Sequence, residues 1–121
     1  MKKILVVDDD DLIRDLIYEI LESNGFQVVL AENGNKALEI LKHEEVDLII
    51  TDIIMPDKEG IETIMDIKRM LPKAKIVAMS GGGQLDANSY LNIAKRLGVK
   101  ATLNKPFNPN KLLSLINEIL E

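Results

Sequence analysis

Polar side chains suited to phosphoryl chemistry follow four short apolar segments of the sequence. They are Asp8 and Asp9, Asp52, Ser80 and Lys105. Three carboxylates about 5 Å apart repel one another by roughly 3 kcal/mol per pair at an effective dielectric constant near 20, so they need a cation. The lysine supplies one positive charge, and an all-oxygen set of carboxylates with room for water suits Mg²⁺.

These residue types together define a reaction. A carboxylate beside Mg²⁺ and a lysine ammonium can attack phosphorus and form an aspartyl phosphate, because the two cations neutralise charge on the transferring group. A hydroxyl such as that of Ser80 can then bond to a phosphoryl oxygen and draw its loop inward. If these side chains converge, the sequence predicts a switch driven by phosphorylation.

The apolar segments have the composition of buried strands. Runs rich in β-branched residues and leucine are typical of central strands in parallel sheets. The predicted strands cover residues 4–7, 26–31, 48–50, 75–79 and 101–104. Ligands gather at the carboxyl ends of parallel strands, where all the polar residues named above are expected. The strand pattern therefore predicts that they lie together.

Apolar residues recur at helical spacing between the predicted strands. The predicted helices cover residues 12–21, 37–41, 61–70, 85–97 and 112–120. Asp10 or Asp11 can cap the first helix, and Asn108 with Pro109 begins the last. The alternation of five strands and five helices indicates an α/β protein, a three-layer α/β/α sandwich around a five-stranded parallel sheet.

Composition disfavours several classes of function. The 121-residue chain has no Cys and one His, which argues against thiolate catalysis, a serine-type triad and a His-rich metal centre. Its net charge of -5 disfavours nucleic-acid binding. The apolar run at residues 4–7 is too short for a signal peptide or a membrane span. We therefore expect a cytoplasmic protein with no membrane or nucleic-acid partner.

Four motifs, in chain order, resemble those of the receiver domain of two-component response regulators. They are ILVVDD at residues 4–9, DLIITDIIMP at 47–56 with Gly60, Met79-Ser80, and LNKPF at 103–107. The resemblance covers essentially the whole chain and is to a stand-alone, chemotaxis-regulator-like receiver. It implies a flavodoxin-like, doubly wound sheet in the order 2-1-3-4-5, in a single domain over residues 1–121 with no output domain.

The resemblance also implies a role for each site residue. Asp52 would be the phosphoryl acceptor, Ser80 the switch hydroxyl, and Lys105 the partner of the phosphoryl group. The Mg²⁺ ligands would be Asp8, Asp9, Asp52 and the backbone carbonyl of Ile54. The peptide bond from Lys105 to Pro106 would be cis.

The same resemblance implies the partners. The phosphodonor would be a phosphohistidine on a sensor histidine kinase or a histidine phosphotransfer protein, and the signal would leave through changed contacts with a downstream protein. We expect the first helix, through Ile13 and Ile17, and the Pro106 loop to dock the donor. Tyr90 and residues 102–113 form the expected readout surface. The chain would be a phosphoryl acceptor with slow self-dephosphorylation and not an enzyme.

Two features depart from the family pattern. Thr102 stands three residues before the lysine, where the family usually has a Tyr or Phe whose ring swings inward when the hydroxyl moves. Ile54 and Gly82 stand two residues after the acceptor and the switch hydroxyl, where the family often has polar side chains that influence hydrolysis of the phosphate. Neither residue can position a water molecule through a polar side chain.

Two other functions fit part of the pattern. A haloacid-dehalogenase-type phosphohydrolase also pairs an Asp-x-Asp after the first strand, matched here by residues 8–10, with a later Ser or Thr and a Lys. That family needs a further acidic pair after the lysine, which Glu118 and Glu121 do not supply. A receiver-like module that binds partners without phosphorylation is the other alternative, but it would give no reason to keep mutually repelling acids together.

Overall fold

A single parallel sheet carries the polar residues predicted to converge. The computed structural model describes residues 1–53, 60–81, 92 and 95–121. Its strands are β1 (Lys3–Val7), β2 (Gln27–Ala31), β3 (Leu48–Asp52), β4 (Ile76–Gly81) and β5 (Ala101–Lys105). They pair in the order β2-β1-β3-β4-β5, and every pairing is parallel. The predicted sheet and its strand order are confirmed.

Three of the strands extend further than their apolar segments suggest. Asp52, Ser80 and Lys105 were expected just after their strands, yet each lies within the last residues of β3, β4 or β5. Interstrand pairing continues through them, since Asp52 pairs with Met79, and the Ile53 amide still donates to the Met79 carbonyl at 2.9 Å. The site residues are therefore held by the sheet itself, which fixes their backbones.

Helices cover both faces of the sheet. Those with described bounds are α1 (Asp11–Glu22), α2 (Gly34–Leu41), α3 (Gly60–Met70) and α4 (Pro109–Leu120). Asp10 caps α1 and Asn108 caps α4, each accepting a backbone N–H of the first turn. The predicted helix over 85–97 falls largely outside the described residues, although Asn92, Lys95 and Arg96 are helical.

Side chains alternate between the two faces of the sheet and so divide the core in two. On β1, Leu5 and Val7 pack with α2 and α3, whereas Ile4 and Val6 pack with α1 and α4. All four are fully buried, because a central strand with helices on both sides leaves neither face to water. The three-layer sandwich is confirmed.

The orientation of α1 corrects one expectation. Ile17 is fully buried against the sheet, so it does not belong to an exposed docking edge, and Ile13 is half-buried. The exposed large hydrophobic side chains of this helix are Leu12, Leu16 and Tyr18, at 79%, 46% and 37% exposure. Apolar residues cover half of this helix, so the sequence pattern left its rotation about its own axis undetermined.

Helix length also bears on membrane contact. The longest of the four bounded helices have 12 residues, against the ~20 apolar residues that a membrane span requires. Within the described part of the chain, no helix can cross a bilayer.

Candidate functional site

Three carboxylates meet where β1 and β3 end. Asp8, Asp9 and Asp52 each place a carboxylate oxygen within 4.8 Å of the other two. The convergence follows from the sheet order, because β1 and β3 are neighbours and their carboxyl ends lie at the same edge. Asp8 is fully buried, Asp52 is 5% exposed, and Asp9 faces solvent. The cluster is therefore walled by protein on one side and open to water on the other.

Lys105 is the cation that joins two of these acids. Its Nζ lies 2.7 Å from Asp8 Oδ2 and 3.4 Å from Asp52 Oδ2. Burial acts to lower the pKa of Lys105, but the hydrogen bond to Asp8 and the negative charges of Asp52 and Asp8 together outweigh it and raise the pKa. The ammonium therefore stays charged at neutral pH and balances one of three negative charges.

Hydrogen bonds hold the carboxylate, the backbone amide and the backbone carbonyl of Asp8. Its carboxylate accepts the Asp10 amide at 2.9 Å as well as the lysine, and its own amide donates to the Ala31 carbonyl at 3.2 Å. Its carbonyl oxygen accepts Arg14 Nη1 at 2.6 Å. Sequence reasoning missed Arg14. Its position one turn into the helix that follows the acids was the available signal, since helical side chains point back toward the N-terminus.

The start of α3 packs against the backbone of Asp52, the third acid, and of Ile53, which follows it. The Gly60 amide donates to the Ile53 carbonyl at 3.0 Å. A Cβ added at Gly60 would overlap the Cα of Ile53 and the carbonyl oxygen of Asp52. The buried Thr51 hydroxyl also donates to that Asp52 oxygen, at 3.0 Å. Only glycine lets the helix approach this closely.

Of the two remaining predicted site residues, Ser80 lies within the described part of the chain and Ile54 does not. Ser80 is fully buried near the end of β4, the strand between the one that carries Asp52 and the one that carries Lys105. Ile54, proposed as a backbone ligand, lies outside the described residues, as do Gly82 and Tyr90. Thr102 pairs with Ala78 in the ladder and is half-buried.

The donor set is compatible with Mg²⁺. It offers carboxylate oxygens only, from two buried residues and one exposed residue. Hard cations prefer such oxygens, and Mg²⁺ retains several waters, for which the exposed side of the cluster gives access. The Lys105–Pro106 peptide beside the site is cis, as the resemblance implies.

The fold and the site together define a class of protein: a flavodoxin-like doubly wound domain with an acidic, lysine-bridged site at the carboxyl ends of its strands. The sequence model of the response regulator receiver domain matches residues 4–117. The chain belongs to that family, and it is a phospho-accepting switch of two-component signalling. The match favours this function over the phosphohydrolase alternative.

Individual relatives agree with this assignment. The chain is 40% identical to the chemotaxis protein CheY of Bacillus subtilis over 98% of its own length and 97% of the relative's. It is 38% identical to the transcriptional regulatory protein CpxR of Escherichia coli, of which it spans 50%. The similarity to CpxR therefore concerns half of that protein.

Solved structures share the fold closely. A CheY-like receiver domain protein from Methanospirillum hungatei superposes with a TM-score of 0.91 at 33% identity, covering 99% of this chain and 94% of that one. The response regulator TrrA from Thermotoga maritima, solved in complex with Mg(2+)-BeF, superposes with a TM-score of 0.87 at 32% identity, covering 99% and 100%.

Proposed function

We propose that Asp52 accepts a phosphoryl group from the phosphohistidine of a sensor kinase or phosphotransfer protein. The observation that carries this assignment is the lysine bridge: Lys105 contacts both Asp8 and Asp52 across a cluster of three acids. A site with excess negative charge and a fixed ammonium suits a reaction that needs a carboxylate nucleophile and positive charge on the transferring group.

The positions of the three acids support different roles for them. Both carboxylate oxygens of Asp8 are already in hydrogen bonds, with the Asp10 amide and with Lys105, so Asp8 is suited to holding a cation. Asp9 projects into solvent. Asp52 lies deeper, at the end of β3, and its contact with Lys105 is longer at 3.4 Å. This arrangement supports Asp52 as the nucleophile, with its P–O bond forming as the P–N bond to the imidazole breaks.

The remaining residues divide the other tasks. We propose that Asp8, Asp9, Asp52 and the Ile54 carbonyl hold Mg²⁺. When bound, Mg²⁺ would neutralise charge on the transferring phosphoryl oxygens. Lys105 would follow the phosphoryl group, since its ammonium already contacts the acceptor. The Ser80 hydroxyl would donate to a phosphoryl oxygen, which would couple phosphorylation to the segment after β4.

Replacing the acceptor tests this assignment. Wild-type protein incubated with acetyl phosphate and Mg²⁺ should gain the mass of one phosphoryl group, because the donor is small enough to need no docking surface. Asp52→Asn should gain none, since an amide is a poor nucleophile. Asp47→Asn is the matched control, because Asp47 immediately precedes β3 at the opposite end of the sheet and bonds the Lys3 amide. Intact-protein mass spectrometry measures all three.

Other results would point elsewhere. An adduct of equal yield on Asp52→Asn would place the acceptor at another residue. No adduct on the wild type at any Mg²⁺ concentration would favour the module that works without phosphorylation. Steady consumption of the donor without an adduct, abolished in Asp8→Asn, would favour the phosphohydrolase.

The exposed face of α1 is the proposed docking surface for the phosphodonor. Leu12 and Leu16 lie four residues apart, so they form one apolar ridge on that helix. The exposed acids Asp11, Asp15 and Glu19 form a parallel ridge beside it. Such a surface fits a partner helix whose apolar residues are flanked by Lys or Arg, because opposite charges steer and orient the encounter.

Truncating the ridge tests the docking surface. Leu12→Ala combined with Leu16→Ala should slow transfer from a phosphorylated kinase at least tenfold, since apolar anchors at the centre of an interface carry most of its energy. Transfer from acetyl phosphate should be unchanged. Stopped-flow or quench assays measure the transfer rates of the variant and the wild type with each donor. An equal loss with both donors, or no loss with the kinase, would remove α1 from the interface.

Ile17→Ala is the internal control for that experiment. It removes a buried side chain from the opposite, sheet-facing side of the same helix, so it should lower the free energy of unfolding by about 2–5 kcal/mol. Transfer per folded molecule should stay near the wild-type rate with both donors.

A further inference from the structure

Arg14 is a charged side chain that the proposed phosphotransfer does not use, yet it is largely buried beside the site. Its side chain is 14% exposed. One guanidinium nitrogen, Nη1, donates to the Asp8 carbonyl at 2.6 Å, and the other, Nη2, pairs with Asp11 at the start of α1. These two contacts fix the plane of the guanidinium, whereas the guanidinium of a flexible surface arginine has no fixed plane.

The accepting carbonyl has a special place in the chain. It belongs to the peptide unit that joins Asp8 to Asp9, two of the three acids in the cluster. A peptide unit is planar, so the Asp8 oxygen and the Cα of Asp9 lie in one rigid plane. A hydrogen bond that fixes this oxygen also fixes the direction from which the exposed Asp9 side chain leaves the backbone.

One other bond of the loop acts across this peptide unit: the Asp10 amide reaches back over it to the Asp8 carboxylate, but it does not bond the carbonyl oxygen itself. The Asp10 amide and Lys105 hold the Asp8 carboxylate, and Ala31 holds the Asp8 amide on the preceding peptide unit. Within the described residues, Arg14 provides the side-chain bond to the carbonyl between the two acids.

We propose that Arg14 is a positioning residue for the cation site: it locks the peptide plane between Asp8 and Asp9 so that both carboxylates face one point. The proposal rests on the proposed function, which places Mg²⁺ at these acids. The effect that it predicts on Mg²⁺ affinity is opposite to the effect of charge repulsion. A cation near three acids should weaken Mg²⁺ binding by repulsion, whereas a positioning residue should strengthen it, so removing Arg14 distinguishes the two roles.

A Mg²⁺ titration without any phosphodonor tests the proposal. Amide chemical shifts of the loop after β1 in ¹⁵N-labelled protein give the dissociation constant directly. Arg14→Met keeps the length of the stem and removes the donors, and it should weaken Mg²⁺ binding about tenfold, the lower end of the effect of removing a hydrogen bond that orients a metal ligand. Arg14→Lys keeps the charge, but a single ammonium cannot hold both contacts, so binding should weaken at least threefold.

Lys36→Met is the matched control. Lys36 is exposed and lines the same surface cleft as Arg14, and among the described residues no hydrogen bond joins its side chain to residues 8–11. Its removal takes away a nearby positive charge alone, so Mg²⁺ binding should be unchanged or slightly tighter.

The outcomes separate this inference from the function on which it rests. Unchanged or tighter binding in Arg14→Met would overturn the positioning role while leaving the cation site intact. If Arg14→Met does not fold, unchanged binding in Arg14→Lys overturns it. No Mg²⁺ binding by the wild type would instead remove the cation site from the proposed function, and the role of Arg14 with it.

Discussion

Gly60→Ala should lower the free energy of unfolding by about 3 kcal/mol, the upper end of the cost of overpacking a core. The added methyl group would overlap backbone atoms of Ile53 and Asp52, and backbone cannot rotate away as a side chain can. Helix α3 must then move away from β3, which breaks the 3.0 Å bond from the Gly60 amide to the Ile53 carbonyl. Urea denaturation followed by circular dichroism measures the loss.

Helix propensity makes this a demanding test. Alanine is favoured over glycine in a helix by up to about 1 kcal/mol, so propensity alone predicts that Gly60→Ala stabilises the protein. Gly25→Ala is the matched control, because its added Cβ meets nothing within 4 Å and costs only the strain of a φ of 87°. That strain is about 1–2 kcal/mol. A loss at Gly60 no larger than the loss at Gly25 would contradict the close packing.

Lys105→Met should have two linked effects. Without divalent cations, the free energy of unfolding should fall by about 3 kcal/mol, because the fully buried Asp8 and the nearly buried Asp52 lose the ammonium they share. Mg²⁺ should bind the variant at least tenfold more tightly than the wild type, because the lysine no longer occupies Asp8 Oδ2 or adds positive charge. Its binding should therefore restore much of the lost free energy of unfolding. Thermal unfolding across a Mg²⁺ series measures both effects.

The control for this variant is Lys75→Met. Lys75 is half-buried at the opposite end of the sheet, and its ammonium contacts the carbonyl of Ile119 at 3.5 Å. It should change stability slightly and Mg²⁺ affinity not at all. If Lys105→Met binds Mg²⁺ as the wild type does, the lysine bridge does not compete with the cation.

The parallel α/β pattern accounts for what sequence alone could predict. Once β1, β3 and β5 were placed in one parallel sheet, the carboxyl ends that carry Asp8, Asp52 and Lys105 had to share an edge. The alternation of β1 side chains between the two cores follows from the period of a strand. Residue type and order were sufficient because these features depend on topology and not on exact distances.

The features that sequence could not supply depend on exact distances between segments. The burial of Ile17 and the exposure of Leu12 depend on the rotation of α1, which a half-apolar helix does not specify. The approach of Gly60 to Asp52 depends on how closely α3 packs against β3, which residue types do not specify. No local pattern marks a glycine that lacks room for one methyl group.

The bond between Lys105 and Asp8 also governs when the site first exists during synthesis. The two residues are 97 positions apart, so the acids of β1 and β3 leave the ribosome long before the lysine that balances them. A nascent chain that ends before β5 holds three acids with no fixed ammonium, and their mutual repulsion opposes closing the sheet. On the proposed mechanism, phosphorylation of Asp52 would therefore require β5, the strand that carries Lys105.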